Sequence, residues 1–221
     1  MIAHYHGSEA RVNALVEEFG AQRVRAVRAD LGARDGAFTL WREALAAWGR
    51  VDVLVNNAAV MPPASVESDP DHWHDAWDST LRVNLVAAAD LCREAIKHFA
   101  AQRRGGIIVN VASRAAFRGD APEHMHYAAS KAGMIALTRS IARGFARQGV
   151  LAYGIAPGFV NAGMAQPFLA EHGAEDVLRD IPLGELASPD DVANVVAFLA
   201  SGLARHATGT TIDINGASYV R

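Results

Sequence analysis

The sequence predicts a single-domain α/β protein built on a doubly wound parallel sheet. Short apolar runs alternate with longer helical patterns along all 221 residues, and the runs at residues 51–55 and 106–111 are continuously apolar. Such runs are typical of strands buried on both faces, as in parallel sheets covered by helices on each side. No repeat or linker interrupts the alternation, so one domain over residues 1–221 is expected.

The elements follow in chain order. Strands are predicted over residues 1–5, 24–27, 51–55, 106–111, 151–156 and 210–214, and helices over residues 9–19, 38–48, 80–101, 125–147 and 189–199. Ser8 is the expected N-cap of the first helix, because a serine hydroxyl can accept a hydrogen bond from a free helical N–H. Gly20 and Gly49 are the expected ends of the first two helices.

Composition excludes several classes of function. Lys and Arg number 21 against 24 Asp and Glu, so the net charge of −3 favours neither nucleic acid nor an anionic membrane as a partner. The single cysteine, Cys92, excludes internal disulfides and cysteine-based zinc sites. No apolar run reaches the ~18 residues of a membrane span, and Met1 opens no signal peptide. A cytoplasmic protein is expected.

A metal site is not predicted. His72 and His74, like His124 and His126, have the His-x-His spacing that suits two ligands on a strand. Both pairs are expected in loops, and no set of carboxylates completes either pair. Solvated or packed histidines are therefore the preferred interpretation.

The candidate chemistry lies where predicted strands end, because ligands of doubly wound sheets bind at the carboxyl ends of the strands. Tyr127 and Lys131 have the i, i+4 spacing that places two side chains on one helical face. An ammonium favours the phenolate and lowers the tyrosine pKa, so the pair could exchange a proton with an alcohol or carbonyl oxygen. The alternative is that the two are only surface neighbours.

Two further polar residues favour a catalytic role for Tyr127 and Lys131 over a chance surface pair. The hydroxyl of Ser113 follows a buried strand and could hold a carbonyl oxygen in register with Tyr127. Asn84 lies inside a predicted helix, where its low helix propensity indicates a hydrogen-bonding task. Its alternative is a solvated or merely packed asparagine.

In chain order these motifs resemble the classical short-chain dehydrogenases/reductases, in the style of bacterial 3-oxoacyl-ACP reductases and glucose dehydrogenases. The resemblance covers residues 2–221 and implies a Rossmann-like fold. Its pieces are Asp30-Leu31, Asn56-Asn57-Ala58-Ala59, Asn84, Ser113, the segment from Tyr127 to Lys131, Pro157-Gly158-Phe159-Val160, and the closing stretch from Gly209 to Gly216.

The resemblance implies an oxidoreductase that interconverts a carbonyl and a secondary alcohol by hydride transfer with NADP(H) or NAD(H). Tyr127 would be the general acid/base, Lys131 would lower its pKa and hold the nicotinamide ribose, and Ser113 would orient the substrate oxygen. Asn84 would hold a water that extends the proton relay to Lys131. The remaining cofactor-binding residues would be Asp30 and Leu31 at the adenine, Asn57, Ala58 and Ala59 along the adenosine side, and Pro157, Gly158 and Val160 near the nicotinamide.

One family element is missing from the 221 residues, the glycine-rich turn T-G-x-x-x-G-x-G that joins the family's first strand to its first helix. That strand and helix are expected to be absent, which removes the backbone N–H groups that would hold the pyrophosphate. Three explanations stay open: a misplaced coding start, a genuinely shortened homologue, or a unit supplied by another subunit. The alternative function is a cofactor-poor pseudoenzyme or partner subunit. A non-redox enzyme that reuses the Tyr–Ser pair is a third possibility.

The resemblance also bears on which cofactor is preferred, on the substrate face and on the oligomeric state. The predicted strand that corresponds to the family's second strand is not followed by an acidic residue, which in the family would favour NAD. His6 lies about where relatives that use NADP have an arginine, so the sequence favours NADP weakly over NAD. The alternative is that His6 is a solvated histidine in a turn. Residues 162–181, where relatives close over substrate, include the apolar Met164, Pro167, Phe168 and Leu169. A homodimer or homotetramer through the two long helices is expected.

Overall fold

The computed structural model describes residues 1–163 and 173–221. Its strands are β1 (Ile2–Tyr5), β2 (Arg25–Arg28), β3 (Val53–Asn56), β4 (Gly106–Val111), β5 (Val150–Pro157) and β6 (Thr211–Ile214). Its helices are α1 (Glu9–Phe19), α2 (Gly36–Trp48), α3 (Pro70–Leu81), α4 (Ala87–Gln102), α5 (Ala115–Arg118), α6 (Met125–Phe145), α7 (Ala174–Arg179) and α8 (Pro189–Ala200). The α/β class and the parallel strands are as predicted. The apolar residues Met164, Pro167, Phe168 and Leu169 lie outside the described residues.

The strands form two separate parallel sheets. One has the order β1-β2, and the other has the order β3-β4-β5-β6. In the described part of the chain, β1 pairs only with β2 and β3 pairs only with β4, and we call this break in strand pairing between the two sheets the inter-sheet gap. The prediction that residues 51–55 form a strand buried on both faces is therefore wrong. Val55 is 41% exposed because β3 is an edge strand.

One hydrophobic core nevertheless joins the two sheets. Helix α2 packs against α4, so Leu40 and Trp41 of α2 share a cluster with Leu31, which follows β2, and with Ile108 of β4. A second cluster on the other face of the larger sheet packs strands β4 and β5 against α8. The larger sheet is thus covered on both faces, as expected for a doubly wound arrangement.

The predicted helix over residues 80–101 is part of a longer helical stretch. Helix α3 begins ten residues earlier, at Pro70, where the Asp69 side chain accepts the N–H of His72 at 3.0 Å. A π-helical turn (Arg82–Val86) then joins α3 to α4. The expectation that the His-x-His pairs lie in loops is also wrong, because His72 and His74 lie on α3 and His126 lies on α6.

Candidate active site

The structure brings three of the predicted catalytic residues together. Ser113 follows the carboxyl end of β4, and Tyr127 and Lys131 lie one turn apart on α6. The hydroxyl groups of Ser113 and Tyr127 are hydrogen-bonded to each other. The Lys131 Nζ lies 5.6 Å from the centre of the Tyr127 ring. A carbonyl oxygen placed between the two hydroxyls would therefore meet two hydrogen-bond donors.

Burial controls the acidity of Tyr127. It raises the pKa of the phenol to about 12, and the Asp120 carboxylate acts in the same direction, while the hydrogen bond from Ser113 opposes them. The sequence-based expectation was a pKa lowered by Lys131. The net direction is the opposite one, so at neutral pH the phenol keeps its proton.

Lys131 is a buried cation without a carboxylate partner in the described part of the chain. Its residue is 1% exposed, and Nζ donates one hydrogen bond to the Val111 carbonyl at 2.7 Å. Burial lowers its pKa from 10.5 to about 8. An ammonium has three N–H donors, so it retains further donors for a hydroxyl group in the site.

Asn84 lies in the π-helical turn and is fully buried. Its Oδ1 accepts the Val60 N–H at 2.8 Å and its Nδ2 donates to the Val60 carbonyl at 2.9 Å, so the side chain holds both polar groups of one residue. Nδ2 also lies 3.1 Å from the Ser130 hydroxyl, which donates to the Tyr127 carbonyl at 2.7 Å. Asn84 thus links the loop after β3 to α6.

A second clamp holds the same loop. The His126 Nε2 donates to the Pro62 carbonyl at 2.8 Å, and the Ala64 N–H donates to the Glu123 carbonyl at 2.9 Å. His126 directly precedes Tyr127, so the loop and the start of α6 form one unit. Sequence reasoning missed this role of His126, although its position directly before Tyr127 was a signal for it.

Asp30 and His6 meet at the carboxyl ends of β1 and β2. The His6 Nδ1 lies 3.7 Å from the Asp30 Oδ1, which also accepts the Gly32 N–H at 2.8 Å. Both side chains line a cavity of about 330 Å³. Leu31 does not join them, because its side chain is buried in the core. Sequence reasoning missed Arg28, which also lines this cavity and donates from Nε to the His6 carbonyl at 3.3 Å.

The other predicted cofactor residues follow β3 and β5. Asn57 is exposed and Ala58 and Ala59 are partly buried. After β5, the Pro157 carbonyl accepts the Arg114 N–H at 2.9 Å. A Cβ on Gly158 would lie 2.9 Å from the Cβ of Asn215, so this turn requires a glycine. Val160 forms a parallel bridge with Ala187.

Arg114 is a second buried cation beside Ser113. It is 7% exposed, its guanidinium lies 4.7 Å from the centre of the Phe159 ring, and its Nη1 contacts the Asp180 Oδ2 at 3.1 Å. Arg118 binds the same oxygen at 2.7 Å. Burial and Arg118 together lower the pKa of Arg114, whereas the two arginines lower the pKa of Asp180. The sequence showed no sign of this contact, because Asp180 is remote along the chain.

A buried polar chain supports β3 and β4 beneath the site. The Asn56 Nδ2 donates to the Asn110 Oδ1, and the Asn110 Nδ2 donates to the Thr138 hydroxyl, both at 2.8 Å. Asn56 Oδ1 has no partner among the described residues. Asparagines inside apolar strands signal such a network, because buried amides need hydrogen-bond partners.

The residues fit the two ends of a nicotinamide dinucleotide and not its middle. Lys131 has donors left for the sugar at one end, and the cavity beside His6 and Arg28 suits a phosphorylated adenosine at the other. A pyrophosphate needs clustered backbone N–H groups between them. Among the described residues, no further strand pairs with β1 or β3, no glycine-rich turn follows either strand, and α1 opens with the carboxylate of Glu9.

The described residues hold neither a metal-binding cluster nor a membrane-spanning helix. Across residues 1–163 and 173–221, no three His, Cys, Asp or Glu side chains are grouped closely enough to share a metal ion. No helix in the same residues has the length and apolar character needed to cross a membrane.

Comparison with known proteins gives the family. The family model described as enoyl-(acyl carrier protein) reductase matches residues 1–217. The 3-oxoacyl-(acyl-carrier-protein) reductase of Staphylococcus aureus is 35% identical over 219 residues, which cover 98% of this chain and 87% of the relative. The corresponding Staphylococcus epidermidis protein is 33% identical over the same shares of both chains. Nodulation protein G of Rhizobium meliloti is 36% identical over 97% of this chain and 85% of the relative. The chain therefore belongs to the short-chain dehydrogenase/reductase family of NAD(P)-dependent oxidoreductases.

Proposed function

We propose that this protein interconverts a carbonyl group and a secondary alcohol, with Tyr127 as general acid for reduction and general base for oxidation. The observation that carries the proposal is the hydrogen bond between the Ser113 and Tyr127 hydroxyls beside the buried Lys131 ammonium. Ser113 orients the substrate oxygen, and Tyr127 gives it a proton. The bound nicotinamide would supply the hydride.

The raised pKa of Tyr127 keeps the phenol protonated at neutral pH, so the acid form needed for reduction is the resting form. Lys131, whose pKa lies near 8, stabilises the phenolate that forms and can return a proton to it. The Asn84 side chain already makes hydrogen bonds to Val60 and Ser130. A relay water held at Asn84 would therefore bind its main-chain carbonyl.

The cofactor assignment follows the same proposal. Lys131 and Tyr127 would hold the nicotinamide ribose, with Pro157, Gly158 and Val160 beside the ring. Asp30, Asn57, Ala58 and Ala59 would line the adenosine side, and Leu31 would contribute only its backbone. We favour NADP over NAD because Arg28 joins His6 at the adenosine cavity. The acidic Asp30 and Asp35 in the same cavity oppose that preference and keep it weak.

The name of the Staphylococcus relatives makes 3-oxoacyl thioesters the first substrates to test. The experiment follows loss of reduced cofactor absorbance with acetoacetyl-coenzyme A, first with NADPH and then with NADH. Turnover that is proportional to enzyme and lost in Tyr127→Phe supports the proposal. A folded protein that reduces no carbonyl in a broad panel overturns it, and would support the alternative of a partner subunit. The reductase names of the relatives do not favour that alternative.

A further inference from the structure

We propose that Arg221 is a positioning residue for the reaction: it holds the one-turn helix α5 against β6, and α5 in turn holds the Ser113 hydroxyl. This inference rests on the proposed function, because it concerns the serine that orients the substrate oxygen there. It goes beyond that function by assigning the position of Ser113 to a side chain that is remote along the chain.

The Ser113 hydroxyl is fixed by the first residues of α5. Its Oγ accepts the Ala115 N–H at 3.1 Å, and the Ser113 carbonyl accepts the Ala116 N–H at 3.1 Å. A serine hydroxyl has one hydrogen to donate and two lone pairs. Because Ala115 occupies one lone pair, the direction in which the O–H bond points toward Tyr127 and the substrate oxygen depends on where α5 lies.

Helix α5 cannot hold this position by itself. It has four residues, Ala115–Arg118, and isolated helices shorter than about 12 residues are marginal in water. Its place is therefore set by tertiary contacts. It packs against α6, and the Arg118 Nη1 contacts the Asp180 Oδ2 at 2.7 Å. The ring of Phe117 makes a further set of contacts, with the segment that follows β6.

Tyr219 and Arg221 both hold the Phe117 ring. The Tyr219 ring is stacked on it, with an interplanar angle of 10° and 6.1 Å between the ring centres. The guanidinium carbon of Arg221 lies 4.1 Å from the centre of the same ring. The Asn215 Nδ2 donates to the Tyr219 carbonyl at 3.0 Å, which closes the turn between β6 and this segment.

The same guanidinium is anchored to β6. Its Nη2 donates to the Thr211 carbonyl at 2.6 Å, and its Nε donates to the Asp213 carboxylate at 3.0 Å. An arginine can bind acceptors with the edge of its planar group while the face of that group lies on an aromatic ring. Arg221 therefore joins the larger sheet to α5 with one side chain. A glutamine lacks the charge and the fork of donors that these contacts use.

The kinetic test is a double-mutant cycle between Arg221 and Ser113, measured by reduction of acetoacetyl-coenzyme A with NADPH. We expect Ser113→Ala to lower kcat by about 10²-fold. Arg221→Gln should lower kcat by about tenfold and change KM by less than about threefold, because a misplaced orienting group weakens the transition state more than substrate binding. In the Ser113→Ala background, Arg221→Gln should lower kcat by less than about twofold, because the hydroxyl that it positions is already absent.

Arg50→Gln is the matched control. Arg50 also donates from Nε and Nη2 to an aspartate, Asp52, at 3.0 and 2.6 Å, but it precedes β3 at the opposite end of the sheet from Ser113. This variant should change neither kcat nor KM. Three kinetic results would overturn the inference: an unchanged kcat in Arg221→Gln, an equal loss in Arg50→Gln, or a loss that multiplies fully with that of Ser113→Ala in the double variant.

Amide hydrogen exchange followed by NMR gives a readout that does not depend on turnover. In Arg221→Gln the Ala115 N–H should exchange at least about tenfold faster, whereas the N–H of Ile108, buried in β4, should keep its protection. Unchanged protection of Ala115 would overturn the inference.

The outcome is separate from that of the proposed function. A folded wild-type chain that reduces no carbonyl would overturn the reductase, and the exchange rate of the Ala115 N–H would still decide whether Arg221 holds Ser113 in place. Carbonyl reduction that is lost in Tyr127→Phe but unchanged in Arg221→Gln would leave the reductase in place and overturn only the positioning role.

Discussion

The Lys131 ammonium lies 5.6 Å from the centre of the Tyr127 ring but donates its hydrogen bond to the Val111 carbonyl. The ammonium therefore lies near the tyrosine ring while its hydrogen bond goes to the main chain of β4. Ser113 makes the direct contact, so the acid and its orienting group come from two different elements of the fold.

Replacement of the phenol should remove proton transfer while leaving the fold intact. We expect Tyr127→Phe to lower kcat/KM by about 10²–10⁴-fold, the usual contribution of a positioned general acid. Tyr153→Phe is the matched control, since its hydroxyl donates to Ala204 on the opposite side of the sheet. Steady-state reduction of acetoacetyl-coenzyme A measures both, and an equal loss in the two variants would contradict the assignment.

Stability should rise with pH above the pKa of Lys131. Below about pH 8 both folded and unfolded chains carry the proton, so the cost of burying the charge is constant. Between the folded value of about 8 and the unfolded value of 10.5, the folded chain loses its proton first, and the free energy of unfolding increases. The gain should reach about 2 kcal/mol near pH 9.5.

Urea unfolding at several pH values, compared between variants, isolates this effect. Lys131→Met should flatten the rise, because it removes the titrating group. Lys97→Met should keep the rise, since Lys97 is exposed and its carboxylate partner is Glu94 on the same helix. Identical pH profiles for wild type and Lys131→Met would show that another group is responsible.

The two ion pairs that share the Asp180 carboxylate should contribute unequally to the free energy of unfolding. Asp180→Asn removes the hydrogen-bonded counter-ion of the buried Arg114 guanidinium and should cost about 1–3 kcal/mol. Arg118→Gln removes a more exposed partner and should cost less than about 1 kcal/mol. Chemical denaturation tests the order of the two effects, and a larger loss for Arg118→Gln would reverse our interpretation.

Two substitutions of glycine by alanine should change the stability of the protein in opposite directions. A Cβ on Gly36 would lie 1.7 Å from the Asp30 carbonyl oxygen, so Gly36→Ala must displace backbone and should destabilise by about 1–3 kcal/mol or more. Gly144 lies on α6 with open space around its Cα, and Gly144→Ala should stabilise by about 0.5–1 kcal/mol. Thermal melting measures both changes, and similar shifts would refute the packing argument.

Oligomerisation through α4 and α6 remains a prediction. The exposed face of α6 includes Ala132 and Ala136, whose small side chains allow close helix packing. Light scattering at micromolar concentration should give a dimer or tetramer, and Ala136→Glu should shift it toward monomer without loss of helical signal. A monomeric wild-type mass would refute the prediction.

Local signals predicted the elements well. Helix α1 ends at Gly20 and helix α2 at Gly49, as expected, because both glycines adopt positive φ values. The first part of α3 was missed because its polar sequence lacks an obvious apolar period. Asp69 followed by Pro70 was the overlooked start signal.

The candidate site was less predictable than the fold. Ser113, Tyr127 and Lys131 could be identified because each lies at a strand end or on one helical face. The expected pKa of Tyr127 was wrong in direction, because burial depends on tertiary packing that spacing cannot reveal. Arg28 and Arg114 were missed because their partners come from other parts of the chain.

The inter-sheet gap also has a consequence for how the molecule opens. In the residues that the structure describes, main-chain hydrogen bonds do not join β1 and β2 to the larger sheet, so side-chain packing of α2 on α4 connects the two sheets. The first fifty residues should therefore unfold as a separate cooperative unit, at lower free energy than the rest. Native-state hydrogen exchange would detect this as early labelling of β1 and β2 while β4 and β5 stay protected.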